Sequence, residues 1–258
     1  MLNVKGIKIE DIYSSDFLYI SFEIDDTTES LSNYQINLMR SLSAQGPYSV
    51  IAYGITNFRY TDRFVNLSDP SIKYFYKIQI VDENTREVYV SDYQQFLQGK
   101  PDDFSFAIRE IESLYLHNVI NNDSMYLLNK MRTGQRCNCY DSIRKQADPQ
   151  CLSCFGTGYV GGYYEPTEIK VNFFTPISEE GVYIPSDDFN KTAPIQLWTS
   201  NFPVIEAGDI LVDNKNRRYI IQNCQRSTKN YFLFRQTVVA HVLPRSNIAY
   251  DFLVKEKF

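Results

Sequence analysis

Histidine is almost missing from this 258-residue sequence: His117 and His241 are the only two. They are far from each other and from any other candidate ligand. The commonest general base and the commonest catalytic zinc ligand are therefore largely unavailable. No nucleophile elbow, phosphate-binding glycine loop or histidine–carboxylate set assembles from the sequence, so an enzyme is the least favoured class. Apolar runs of membrane length are lacking as well, and no signal-peptide pattern opens the chain. The expectation is no membrane partner, and cytoplasmic synthesis with reduced thiols. Tryptophan occurs once, as Trp198, which reads as a core or interface anchor. Outside one stretch cysteine is scarce too. Cys224 stands alone at the end of an apolar strand and reads as a small buried hydrophobe.

What the chain does have is aromatic and β-branched residues. Twenty Tyr and 17 Phe favour strands over helices. A formal charge of −5 excludes a protein that binds nucleic acid over its whole surface. The charge is unevenly placed. Acids dominate the first 35 residues, whereas 214–250 carries Lys215, Arg217, Arg218, Arg226, Lys229, Arg235 and Arg245 with no acid at all.

The most informative stretch runs from Arg136 to Tyr164. It holds Cys137-x-Cys139, eleven intervening residues, and Cys151-x-x-Cys154 followed at once by Gly156-Thr157-Gly158. Two close pairs across a polar loop match the way four thiolates converge on one tetrahedral ion, and the glycines allow the chain to fold back beside the sulfurs. Structural Zn2+ is the default occupant, because it is redox-inert and content with a closed site. Two disulfides, a redox C-x-x-C and an iron–sulfur cluster are the competing readings. A C-x-C pair is hard to bridge internally, Pro149 and the glycines suit a loop rather than a helix N-terminus, and compact spacing favours a single ion.

Taken in order, 1–12 reads as an N-terminal arm. Residues 13–97 show six or seven short alternating strands with turn signals, the pattern of an antiparallel β-sandwich. Residues 98–133 read as a helical connector. One helix starts after Pro101 with Asp102 and Asp103 at its positive end, and a second runs from Met125 to about Met131 before Thr133-Gly134. Residues 134–165 form the cysteine knuckle, which the connector feeds directly. Residues 166–258 return to short strands, with Asp213-Asn214-Lys215-Asn216 as a hairpin turn, and predict a small barrel. The fold class expected is mainly β: sandwich, short helical segment, four-cysteine zinc knuckle, small barrel. The apolar tail after Asp251 either adds a strand to a neighbour or closes its own barrel.

Two resemblances follow from particular residues. Asn66-Leu67-Ser68-Asp69-Pro70 leading into Lys73-Tyr74-Phe75-Tyr76-Lys77-Ile78 resembles the turn and penultimate strand of fibronectin type III domains. Leu67, Tyr74, Tyr76 and Ile78 would occupy the core places, although the usual early Trp is missing.

The second resemblance rests on Gly134-x-x-Cys137-x-Cys139-Tyr140-Asp141 and on Cys151-x-x-Cys154-Phe155-Gly156-Thr157-Gly158-Tyr159-Val160-Gly161-Gly162-Tyr163-Tyr164. Downstream it continues with Leu197-Trp198-Thr199, Gly208-Asp209-Ile210-Leu211-Val212, Arg217-Arg218-Tyr219-Ile220-Ile221, Gln236 and Ile248-Ala249-Tyr250. Over roughly 104–252 the chain resembles neck proteins of tailed bacteriophages, the head-closure or connector components between portal and tail. The departure is C-x-C at the first pair, where many knuckles have C-x-x-C.

That resemblance implies a structural virion protein that is not an enzyme, assembled in the host cytoplasm as a homo-oligomeric ring. It implies contact with the portal or adaptor on one edge and with the tail terminator or neighbouring neck proteins on the other. Packaged DNA would pass through without sequence-specific contact, past mild positive charge that Lys215, Arg217 and Arg218 would supply. The same cations also read as solvated strand faces. A zinc-ribbon nucleic-acid binder is the alternative function, and it sits poorly with the acidic balance. A cochaperone-like zinc module is a third, but such modules carry several C-x-x-C-x-G-x-G repeats.

Overall fold

A computed structural model describes residues 2–11, 17–67, 71–96, 103–114, 116, 123–174, 177–178, 181–182, 194–229 and 232–254. Their contacts divide the chain into two units. One comprises 1–98 with 131–148 and 158–161; the other comprises 99–130 with 149–157 and 162–258.

Alternation builds the first unit. Along β2 (Leu18–Ile24) every second residue, Leu18, Ile20, Phe22 and Ile24, is buried, the period-2 mark of a strand with one face on a core. The other strands are β1 (Val4–Asp11), β3 (Tyr34–Ser41), β4 (Ser49–Ala52), β5 (Arg59–Asp62), β6 (Phe75–Asp82), β7 (Val88–Val90) and β8 (Gln94–Gln95). Strands β1, β2 and β5 form one antiparallel sheet, and β4, β3, β6 and β7, with β8 also on β6, form another. This is the division of strands in a fibronectin III-like sandwich. Ile36 and Leu38 of β3 and Tyr76, Ile78 and Ile80 of β6 supply the second sheet's core side.

Three details refine the expectation. Val4–Asp11 is a strand paired along its length with β2, not an arm. The Tyr74 hydroxyl accepts from the Asn66 amide at 2.7 Å, the backbone-locking tyrosine of such sandwiches. Tyr74, Tyr76 and Ile78 are buried as expected, but Leu67 is half-buried and Val65 takes the buried place. No disulfide ties the sheets. Instead the carboxylate of Asp62, only 1% exposed, accepts from Arg40 Nη1 at 2.8 and 3.0 Å and from the Tyr76 hydroxyl at 2.9 Å.

In the second unit, helix α1 (Asp103–Leu114) precedes β9 (Asp123–Leu128). The expected second helix is thus replaced by a strand. Met125 and Leu127 point into a core where β-structure satisfies their backbone, and that packing overrides the helix preference of Met and Leu. The remaining strands are β10 (Thr167–Phe173), the small hairpin β11 (Ile177–Ser178) and β12 (Gly181–Val182), β13 (Ile195–Thr199), β14 (Ile210–Val212), β15 (Arg218–Lys229) and β16 (Phe232–Val242). Five of them close with β9 into a barrel in the order β10, β13, β16, β15, β14, β9. Strand β16 is one long strand that follows β15 past two register shifts.

The interior is filled by Met125, Leu127, Ile169, Val171, Leu197, Leu211, Ile221, Val238 and their neighbours. Alternate residues Leu128, Ile210 and Val212 face the other way, and a short turn at Ile248–Asp251 with Phe252 and Val254 packs on them. The chain's own C-terminal residues, as far as Val254, thus cover the outside of its own barrel. On another face Arg235 lies 4.2 Å above the Trp198 ring and bonds Glu112 of α1 at 2.8 Å, which fixes α1 against β16. No helix among the described residues is long and apolar enough to cross a membrane.

Candidate metal centre

Strands β9 and β10 are direct partners, with Leu127 opposite Thr167 and Met125 opposite Ile169. The whole cysteine segment is therefore the connection between two neighbouring barrel strands. Beyond the regular ladder, Lys130 bridges Tyr163, and the Tyr164 amide donates to the Asn129 carbonyl at 3.0 Å. A strand, not a helix, leads into the knuckle.

Within the segment the two cysteine pairs sit on different turns. Cys137 donates its amide to Gly158 O at 3.0 Å, and its carbonyl accepts from Tyr140 N at 2.9 Å, so Cys139 lies inside a tight turn. The intervening residues fold around Asp141. Its carboxylate takes the amides of Ile143 and Arg144, and its backbone pairs with Gln146. After Cys154 the chain turns back through positive φ at Phe155 and Gly156, and Thr157 bonds the Cys154 carbonyl through both its amide and its hydroxyl. Gly162 is the position where no side chain fits. Its φ is +70°, and a Cβ there would lie 2.7 Å from the Cys154 carbonyl oxygen. Phe252 packs edge-on against Phe155 and Tyr163, with ring centroids 5.3 and 5.4 Å apart. Burial, the largest cause, pushes the Tyr163 hydroxyl up to about 12.

The result is convergence. The sulfurs of Cys137, Cys139, Cys151 and Cys154 all lie within 4.8 Å of one another, and those of Cys137 and Cys139 are 3.5 Å apart. Cys137 and Cys154 are buried, while Cys139 and Cys151 are half-buried. A tetrahedral ion with metal–sulfur bonds of about 2.3 Å needs sulfurs about 3.8 Å apart, which this cluster meets with small adjustment. A multi-iron cluster would interpose its own iron and sulfide atoms and spread the thiolates further. All five cysteines are described and none is in a disulfide. The four sulfurs are close enough to hold one metal ion, and the donor set is that of a thiophilic one.

The other sequence-predicted residues fare differently. Lys215 is exposed on the β14–β15 turn, which Asp213 organises by accepting from the amides of Lys215 and Arg217. The Arg217 guanidinium is paired with Asp213 at 2.6 Å. Arg218 is 2% exposed, and its guanidinium donates to the carbonyls of Ala249 and, at 2.7 Å, Phe252. It offers no surface charge for a DNA channel. Burial, its largest cause, lowers the Arg218 pKa, and the charge is spent on holding the C-terminal segment. Cys224 is half-buried against the barrel core, and burial raises its thiol pKa, in keeping with an inert residue. His241 bonds Gln222 at 2.8 Å, while His117 lies outside the described residues.

Sequence reasoning missed one feature beside the cysteines. The Arg136 guanidinium lies 4.1 Å from the centroids of both the Tyr140 and the Tyr159 rings and bonds Asp26 at 2.7 Å. An Arg one residue from a cysteine, flanked by aromatics, was the available signal; its acidic partner is 110 residues away.

Compared with models of known protein families and with curated proteins, the chain finds no match.

Proposed function

We propose that this chain is a non-enzymatic structural protein of the tailed-phage neck. It would form a ring around the DNA channel, joining the portal side of the capsid to the tail. Zn2+ would be the structural ion of the knuckle. The observation that carries this reading is the four-cysteine knuckle set as the connection between adjacent strands of a small closed barrel. The motif that resembles neck proteins and the strands that accompany it there form one continuous stretch of chain. Zinc is favoured because four thiolates around one ion leave no open position for substrate, and zinc imposes neither redox change nor a geometry other than tetrahedral.

Duplex DNA passing through such a ring must slide, so its lining needs only weak positive charge. Lys215, on an exposed turn, stays in that role. Arg217 enters it only as a half of its pair with Asp213, and Arg218 leaves it.

The test is composition and binding. Mass spectrometry of purified particles should find the chain at a fixed multiple of the portal copy number, and the purified protein should bind portal or adaptor. A protein absent from particles that ignores portal yet shifts DNA with strong salt dependence would overturn the neck reading in favour of a nucleic-acid binder.

A further inference from the structure

We infer that Asp26, in the sandwich loop after β2, is a positioning residue of the metal centre: through Arg136 its carboxylate fixes the segment that presents Cys137. This rests on the metal reading above and assigns that loop a part in building the site. Three sets of contacts converge on the segment. The Arg136 amide donates to Thr27 O at 2.8 Å and the Thr27 amide to Gly134 O at 3.2 Å, so 134–136 runs as a short parallel ladder beside the loop. Asp26 Oδ2 accepts from Arg136 Nη2 at 2.7 Å, and its Oδ1 accepts from the Tyr159 hydroxyl at 3.2 Å. The rings of Tyr140 and Tyr159 hold the guanidinium between them, and those residues flank Cys139 and Gly158, the latter being the acceptor of the Cys137 amide.

Asp26 thus fixes Arg136 and Tyr159 together, and with them both backbone strands that meet at Cys137. Metal binding brings four thiolates together around one cation, from sulfurs that already lie within 4.8 Å of one another. A frame that holds Cys137 in place beforehand lowers the ordering that metal binding must supply. Burial first, and then the Asp26 charge, push the Tyr159 hydroxyl up to about 12, so it stays a donor to Asp26 through the neutral range.

The experiment uses the full chain, stripped of metal under reducing conditions. Zn2+ is titrated against a chromophoric chelator, and Co2+ is added separately to read its ligand-field bands. Wild type is expected to bind one ion with tetrathiolate absorption. Asp26→Asn should bind about tenfold more weakly, with altered Co2+ bands, and Asp26→Glu should recover most of the loss. Tyr159→Phe deletes one hydroxyl and should weaken binding by about threefold, which covers the case in which Asp26→Asn fails to fold. Far-UV circular dichroism of each metal-free protein establishes that it is folded before metal is added, so that a change in affinity or in the Co2+ bands is read only on folded protein. If wild type binds no metal, the metal reading itself fails. If wild type binds while Asp26→Asn and Tyr159→Phe match its affinity and spectrum, the positioning role is wrong and the metal centre stands.

Discussion

Replacing Arg218 by Met tests whether this cation belongs to the barrel or to a DNA-facing surface. The guanidinium makes charged hydrogen bonds to two carbonyls of the C-terminal segment, Ala249 and Phe252, and lies 5.2 Å from the Tyr250 ring. Charged bonds of this kind contribute about 1.5–3 kcal/mol each, so their gross loss is about 3–6 kcal/mol. Two effects reduce it. Removing a buried cation returns its desolvation cost, and methionine keeps much of the apolar stem. The carbonyls left behind are neutral, and Phe252, which carries one of them, is only half-buried. A net loss of about 2 kcal/mol follows, rising to about 4 kcal/mol if the segment detaches and uncovers Leu128, Ile210 and Val212. For a unit of this size, about 2 kcal/mol lowers the midpoint by roughly 6 °C. Trp198, the sole tryptophan, lies on barrel strand β13 and reports unfolding by fluorescence. Lys215→Met, at an exposed position, is the control and should shift stability by less than about 0.5 kcal/mol. A wild-type midpoint for Arg218→Met would refute the structural role.

Three further outcomes are expected. Asp62→Ala should cost the sandwich about 2–4 kcal/mol, because the Tyr76 hydroxyl loses its acceptor and Arg40 keeps only the Phe64 carbonyl, whereas Tyr76→Phe should cost about 1 kcal/mol; denaturation followed by far-UV circular dichroism separates them. Gly162→Ala places a Cβ against the Cys154 carbonyl at positive φ, and should cost at least about 2 kcal/mol and weaken metal binding in a chelator competition. In the metal-loaded protein, Ellman's reagent at neutral pH should react slowly with every cysteine, Cys224 included because burial raises its thiol pKa; a strong chelator should then release the four thiols of the knuckle. Immediate reaction of all five thiols without chelator would contradict the site.

The parts of the fold legible in the sequence are those whose cause is local. Strand β2 alternates cleanly, and the cysteine pairs with their glycines lie within a few residues of one another. Errors arise where a distant contact decides. Residues 125–131 look helical by composition and spacing, yet Met125 and Leu127 are pulled into strand by the barrel interior. Gln236 is polar in mid-strand, and nothing near it in sequence accounts for its burial. It is fully buried because its amide bonds Ile205 N and the carbonyls of Ser200 and Pro203, residues more than thirty positions earlier in the chain. Arg218 looks like surface charge because nothing nearby in sequence shows that the carbonyls at 249 and 252 come back to meet it. Asp26 is invisible beside the cysteines for the same reason.

The central claim is a ring, and electron microscopy of the purified, zinc-loaded protein, alone and mixed with portal, tests it most directly. The neck reading predicts closed rings, free or seated on portal, with a central opening wide enough for duplex DNA. A protein that stays monomeric in both samples would contradict it.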